Sequence, residues 1–354
     1  MSYTPRMAST GLRVVLSADF LDERGTVVFP DIGLETVRGR PGVSVRFLER
    51  YEPVYRPDML READVLLSLK PRVTAESLEQ ADSLCAIGRF GVGYDNVDLD
   101  ACTERDIAVY ITRRAVVRPV ASSILLLVLA TSHNLVWKDR LIRRGEWAAS
   151  TRVPGKEPRG RVIGTVGLGN IAREAMRLLA VLEPAEMLAY DPGVTQAAAD
   201  GLGVRMTTLE EVLSASDWVL INCPLTPETR GLIGEAQLRM MKRDAVLINT
   251  ARGPIVDEAA LCRALAGGAI RCAGLDVFEQ EPLPAGSPLA GLDNTVLSSH
   301  SLCWTEELFR DMGRESFAGV MAIGEGRAPA NVVNPAVLAR PGFQKKLERF
   351  REGA

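Results

Sequence analysis

Three residues in the last third of the chain have the types and neighbours that proton chemistry on an anionic carbonyl compound needs. Arg252 follows the apolar run Leu247-Ile248-Asn249-Thr250 and precedes Gly253. A guanidinium at the end of a strand is a natural bidentate partner for a carboxylate. Glu281 closes Gly274-Leu275-Asp276-Val277-Phe278-Glu279-Gln280-Glu281-Pro282, and His300 ends Val296-Leu297-Ser298-Ser299 as one of only two histidines. An imidazolium beside a carboxylate is stabilised by the opposite charge and can act as an acid. Singly, each also has an ordinary reading: a surface ion pair, a satisfied polar residue, a loop acid. What favours chemistry is that all three follow strand-like runs, where a doubly wound sheet presents its ligands.

A second signal lies upstream in Arg161-Val162-Ile163-Gly164-Thr165-Val166-Gly167-Leu168-Gly169-Asn170-Ile171-Ala172. An apolar strand runs into G-x-G-x-x-A and then into a helix expected over 173–181. Gly167 permits the tight turn, Gly169 lets the backbone approach a pyrophosphate, and Ala172 lets the helix pack on the strand. The helix start, with Asn170 and Ile171, offers N–H groups and a positive dipole end to an anion. Asp191 ends the next strand, 22 residues after Gly169. That is the offset at which an acid binds the adenosine ribose hydroxyls, and a carboxylate there repels a 2′-phosphate, so NAD is expected over NADP. The alternative is a ligand-free turn in which Asp191 merely opens Asp191-Pro192-Gly193.

The elements that must position these residues form an alternation of strands and helices. Strands are expected at 13–20, 43–49, 65–70, 84–90 and 107–112. A second series follows at 161–167, 186–191, 204–207, 218–222, 245–250, 272–278 and 295–299. Several are continuous apolar runs, as strands covered on both faces require. Alternation with helices, for instance at 74–81, predicts parallel sheets with right-handed crossovers. The fold class is therefore α/β, with two doubly wound parallel-sheet domains. The break falls near Arg118–Pro119, after which one long apolar helix is expected over 120–137. The charged end from Arg340 reads as a solvated helix or a frayed tail.

Composition bounds the rest. The chain has 354 residues, 47% hydrophobic and 25% charged, with a net charge of −3. That is an ordinary globular balance without a basic footprint for nucleic acid or an anionic membrane. The longest apolar run, 121–130, is far short of a bilayer span. No secretory signal opens the chain. Six scattered cysteines without a C-x-x-C pair read as free thiols in a reducing cytoplasm, and no metal site is expected.

Taken together, the motifs Gly88-Arg89-Phe90-Gly91-Val92-Gly93-Tyr94-Asp95-Asn96-Val97-Asp98, Val166–Ala172, Ile221–Ile233, Ile248–Leu261, Gly274–Pro282 and the strand ending in His300 resemble the D-isomer-specific 2-hydroxyacid dehydrogenase family. They occur in order over roughly 60–335. The resemblance implies an NAD enzyme that interconverts a D-2-hydroxyacid and a 2-oxoacid. In it Arg252 binds the substrate carboxylate, and Glu281 partners His300, the general acid and base. The Val92 and Gly93 amides hold the carboxylate. Asp276 bonds the nicotinamide carboxamide, and Cys223, Pro224 and Thr250 line the cofactor alongside Gly167, Gly169, Asn170, Ile171 and Asp191. It also implies a substrate domain of 1–118 plus 306–335, a Rossmann cofactor domain of 119–305, a tail of 336–354, and an active site between the domains. A cytoplasmic homodimer is expected, with Trp147 as an interface anchor.

The chain departs from the family pattern in places. Val120-Ala121-Ser122 stands where Val-Ala-Glu is common, which puts one polar contact in doubt. Ser301-Leu302-Cys303-Trp304 is bulkier than the usual glycine-rich segment, and Trp304 either narrows the pocket or packs beneath it. Lys70, at a strand end, stands where the family places substrate contacts; it is a candidate for a second anionic group, against the bland reading of a solvated lysine. Two other functions stay open. One is an NAD-binding, corepressor-like interaction protein. The other is an NAD enzyme whose substrate, such as formate or phosphite, has no ketone to protonate.

Overall fold

In the computed structural model, residues 11–351 are described. The first ten and last three positions of the expected domains lie outside them. The chain forms two compact units: unit 1 is Met1–Val116 with Thr305–Ala354, and unit 2 is Val117–Trp304.

Unit 1 holds β1 (Leu12–Leu16), β2 (Val43–Phe47), β3 (Val65–Ser68), β4 (Ala86–Arg89) and β5 (Ala108–Ile111). They form a parallel sheet in the order β2-β1-β3-β4-β5. Strands β3 and β5 are buried at every position, which explains their unbroken apolar runs. Unit 2 holds β6 (Val162–Val166), β7 (Glu186–Tyr190), β8 (Arg205–Met206), β9 (Trp218–Ile221), β10 (Val246–Asn249), β11 (Cys272–Leu275) and β12 (Thr295–Leu297). Its order is β12-β11-β10-β9-β6-β7-β8, all parallel. The chain starts in the middle at β6, winds outward to β8, then returns through β9 to the other edge. The switch point lies between β6 and β9, where such sheets open a ligand crevice.

Three local expectations are corrected. The long helix over 120–137 is two helices, Val117–Ser132 and Leu135–Arg143, bent by 59°. Asn134 lies between them with φ 54°, a left-handed conformation that asparagine tolerates better than most residues. The break is capped from outside. The Arg271 guanidinium donates to the Thr131 carbonyl at 3.1 Å, and the Lys156 N–H donates to the Ser132 carbonyl at 2.8 Å. The helix expected at 74–81 is a single 3₁₀ turn, Glu76–Leu78, closed by reciprocal bonds between Thr74 and Ser77. The helix expected at 173–181 begins earlier and runs Asn170–Ala180.

The charged C-terminal stretch is the fourth correction. Pro341–Arg351 is a helix that buries Phe343, Leu347 and Phe350 against unit 1. Lys346 and Arg349 in it are anchors rather than solvated ends. Lys346 Nζ donates to the Leu84 and Arg105 carbonyls, each at 2.8 Å. Arg349 reaches the Ser83 carbonyl and Asp64, a carboxylate that also takes a bidentate bond from Arg13. Net charge along the stretch hid this, because long cationic side chains bury their stems and deliver the head to carbonyls. Among the described residues no single helix is long and apolar enough to cross a membrane. Trp147 is 71% exposed.

Candidate active site

The register of unit 2 lines up the ends of its strands. Val166 sits beside Tyr190 and Ile221, Ile221 beside Asn249, Asn249 beside Leu275, and Leu275 beside Leu297. Each candidate of this unit therefore leaves the sheet at the same edge, within a few residues of a strand end.

On the β6 side the chain turns at Gly167, whose φ is 95°. A Cβ there would lie 2.7 Å from the Cys223 nitrogen, so both the turn and the close approach of β9 demand glycine. Thr165 supports the turn from beneath. Its Oγ1 donates to the Gly167 carbonyl at 2.9 Å and accepts from Asn222 at 2.9 Å. Asp191 directly follows β7. Its carboxylate accepts the Leu168 N–H at 2.8 Å and the Gly193 N–H at 2.9 Å, so both oxygens are oriented by backbone. Arg173 ties the Leu168 carbonyl from the helix side at 3.0 Å.

Gly169 is different. It caps the Asn170–Ala180 helix with φ −74° and ψ −171°, values open to any residue. Among the described residues, a Cβ built on it meets no atom within 4 Å. None of the described residues requires glycine at 169, whereas a pyrophosphate lying on the helix N-terminus would. The turn thus fits the cofactor that its pattern implies. Gly167, Gly169, Asn170 and Ile171 would hold the phosphates and Asp191 the ribose, with Cys223, Pro224 and Thr250 along the wall. Burial pushes the Cys223 thiol up to about 11, so it stays neutral.

On the β10–β12 side the elements carry side-chain chemistry. Asn249, fully buried at the end of β10, closes the next turn. Its Nδ2 donates to the Arg252 carbonyl at 2.9 Å, and its Oδ1 accepts the Ala251 N–H at 3.0 Å. Gly253 packs so closely on the backbone of Phe278 that a Cβ would lie 1.9 Å from its carbonyl. The loop that carries the arginine is thereby fixed to the loop that carries the acid.

Glu281 accepts the Phe278 N–H at 3.0 Å on one oxygen and meets His300 Nδ1 at 2.7 Å with the other. Burial pushes its carboxyl up. The bond and charge of His300, the Phe278 N–H and the charge of Arg252 outweigh that, so the group sits below the usual carboxylate range. Glu281 is thus bonded to His300 and feels the charge of Arg252. With Nδ1 donating to a carboxylate, Nε2 is the nitrogen left for proton transfer. His300 itself has φ 55°. A left-handed non-glycine residue costs on the order of 1–3 kcal/mol and persists where its surroundings impose it.

Asp276 is 4% exposed. Its carboxylate gathers the Ser298 hydroxyl and the Ser301 and Leu302 N–H groups. These contacts, and the turn-closing role of Asn249, are not visible in the sequence. The signal available was only that Asn249 and Asp276 are polar residues directly after apolar strand runs. Trp304 is half-buried and closes a turn through its N–H to the Ser301 carbonyl at 2.9 Å.

The candidates of unit 1 also lie at strand ends. The Lys70 N–H donates to Asp19 at 2.9 Å, and Asn96 holds the Lys70 carbonyl at 3.1 Å. Val92 and Gly93 are half-buried in the loop that follows Gly91, whose N–H donates to Thr112 Oγ1 at 2.9 Å.

The chain is similar to known proteins over most of its length. Residues 125–301 match the family described as D-isomer specific 2-hydroxyacid dehydrogenase, NAD binding domain. The chain is 37% identical over 293 residues to a glyoxylate reductase of Korarchaeum cryptofilum, covering 81% of this chain and 88% of that protein. It is 34% identical over 330 residues to a D-3-phosphoglycerate dehydrogenase of Archaeoglobus fulgidus, covering 93% of this chain and 61% of that longer protein. Among solved structures, a Thermus thermophilus protein superposes with a TM-score of 0.80 at 31% identity, over 91% of this chain and all of that one. A glyoxylate reductase from Paecilomyes thermophila superposes with a TM-score of 0.79 at 26% identity, over 91% and 98% of the two chains.

Proposed function

The chain belongs to the D-isomer-specific 2-hydroxyacid dehydrogenase family and is a nicotinamide-dependent 2-hydroxyacid dehydrogenase; from that premise we propose a catalytic division of labour among its own residues. The observation that carries the proposal is the 2.7 Å contact between Glu281 and His300, with the charge of Arg252 acting on the same carboxylate.

Arg252 binds the carboxylate of a small 2-oxoacid and polarises the neighbouring ketone. Nε2 of the His300 imidazolium gives its proton to the ketone oxygen as that oxygen gains negative charge. Glu281 keeps the ring oriented and stabilises its charged form through Nδ1. In the reverse direction neutral His300 accepts the hydroxyl proton and Glu281 stabilises the imidazolium that forms. The resemblance assigns the Val92 and Gly93 amides to the substrate carboxylate and Lys70 to a second anionic group on larger substrates, and we keep both as assignments to be tested by substitution. The hydride is supplied and taken up by the nicotinamide when it is bound beside these groups.

We assign NAD rather than NADP. The Asp191 carboxylate is held by two backbone N–H groups and would face a 2′-phosphate with its full charge. Glyoxylate and hydroxypyruvate are the first substrates to try, because relatives carry the names glyoxylate reductase and glyoxylate/hydroxypyruvate reductase. The test is oxidation of NADH and NADPH by purified protein across a panel of 2-oxoacids. Turnover of at least one acid with a clear NADH preference is expected. Tight NADH binding without turnover of any acid would return the corepressor-like reading.

A further inference from the structure

We propose that Asp276 is a positioning residue for His300, acting on the backbone of the turn that carries it. The proposal rests on the reading of His300 as the proton donor. By resemblance Asp276 is only a partner of the cofactor's carboxamide, yet its carboxylate is already engaged inside the chain. Oδ1 lies 2.5 Å from Ser298 Oγ and 3.2 Å from both the Ser301 and Leu302 nitrogens, and Oδ2 lies 3.4 Å from the Leu302 nitrogen. These donors stand on both sides of His300, two residues before it and one and two after.

The histidine has the left-handed backbone, with φ 55°. A carboxylate that collects donors from both flanks of such a residue is the kind of surrounding that imposes it. The imidazole is left to Glu281. The same residue faces the other half of the site. The Asp276 N–H donates to the Asn249 carbonyl at 3.0 Å, and the Asn249 side chain donates to the Arg252 carbonyl at 2.9 Å. One line of hydrogen bonds across the ends of β10, β11 and β12 thus runs from the arginine turn to the histidine turn. Asp276 is its central member, so the separation of guanidinium and imidazole depends on it.

Ser298→Ala separates this role from carboxamide binding, since it removes a donor to Asp276 on the side of the turn. It is expected to lower kcat about 5-fold and Asp276→Asn about 100-fold, with the NADH dissociation constant of Ser298→Ala within about 2-fold of wild type. In a His300→Asn background both losses should shrink to about 2-fold, because a positioned group that is absent cannot be mispositioned. Losses that persist undiminished in that background would overturn the proposal. So would a Ser298→Ala enzyme with unchanged kcat.

A readout independent of turnover protects the test from failure of the functional reading. The ring resonances of the two histidines are separable by NMR, with those of His300 assigned by their loss in His300→Asn. Ser298→Ala should shift the His300 resonances in the NADH complex and leave those of His133 unmoved. Unmoved His300 resonances would overturn the clamp even if no 2-oxoacid is reduced. Shifted resonances without turnover would keep the clamp and remove the reaction.

Discussion

The two halves of the unit 2 edge solve their positioning problems in different ways. Around β6, β7 and β9 the working groups are backbone: a glycine turn, a helix N-terminus, and a carboxylate aligned by the Leu168 and Gly193 N–H groups. Around β10, β11 and β12 they are side chains on short loops, held by buried polar residues at the strand ends and by one left-handed histidine. In our proposal the first half binds an anion with groups whose directions the fold already fixes. The second, as we propose it, needs an arginine, an acid and an imidazole from three loops to act on one substrate, and polar side chains and a left-handed residue hold those loops. Binding is thus written mostly in spacing, and catalysis mostly in contacts between distant segments.

The comparison breaks most visibly at Arg252. Arg252→Ala removes the group proposed to bind and polarise the substrate without touching the glycine turn. We expect kcat/KM to fall by about 1,000-fold or more, with the NADH dissociation constant nearly unchanged in fluorescence titration. A parallel loss of NADH binding would show that the two halves are not separate. Gly169→Ala reverses the pattern. Because no atom of the described residues stands within 4 Å of the added carbon, the melting temperature should stay within about 3 °C of wild type, while NADH affinity falls at least about 10-fold. A large drop in melting temperature with intact affinity would make Gly169 a structural glycine and remove the strongest local argument for the phosphate site.

Glu281 sharpens the contrast through pH. Its carboxyl is depressed in the folded protein, so its contribution to stability is present above its unfolded pKa and is lost as pH falls through the lower folded value. Melting curves from pH 7 down to pH 3 should show wild type losing an advantage over Glu281→Gln only below the usual glutamate range. The same variant should reduce kcat about 10- to 100-fold at neutral pH. An advantage that vanishes already above pH 5 would mean that the carboxyl is not held by His300. Lys70→Ala is the smallest expected effect. KM for a substrate with a second anionic group should rise about 3- to 10-fold while kcat holds. Unchanged values would leave Lys70 a solvated strand-end residue.

How much was legible in the sequence follows the same divide. Each of the twelve strands lies inside its expected window, give or take a residue at its start, because continuous apolar runs report burial on both faces. The glycine turn and the offset of Asp191 are local spacings, so they could be read directly. Asn134 could not be, since one left-handed residue inside an apolar stretch leaves its periodicity intact. The docking of Phe343, Leu347 and Phe350 was masked by the charges between them. The work of Asn249 and Asp276 is invisible for a different reason. Each looks like a polar residue at a strand end until the fold brings Arg252 or Ser301 and Leu302 to it. Arg252, Glu281 and His300 stand out in the sequence by residue type at strand ends, but their separate roles come only from the ordered motifs that resemble a family; as isolated residues they carry ordinary alternatives.

The most direct measurement of the central claim is single-turnover loss of NADH absorbance at saturating 2-oxoacid, followed from pH 5 to pH 9 in wild type and in His300→Asn. With His300 as the proton donor, the wild-type rate depends on pH across this range, and the variant is at least about 100-fold slower with a flat profile. A variant that keeps the wild-type rate and the wild-type pH dependence would contradict the assignment.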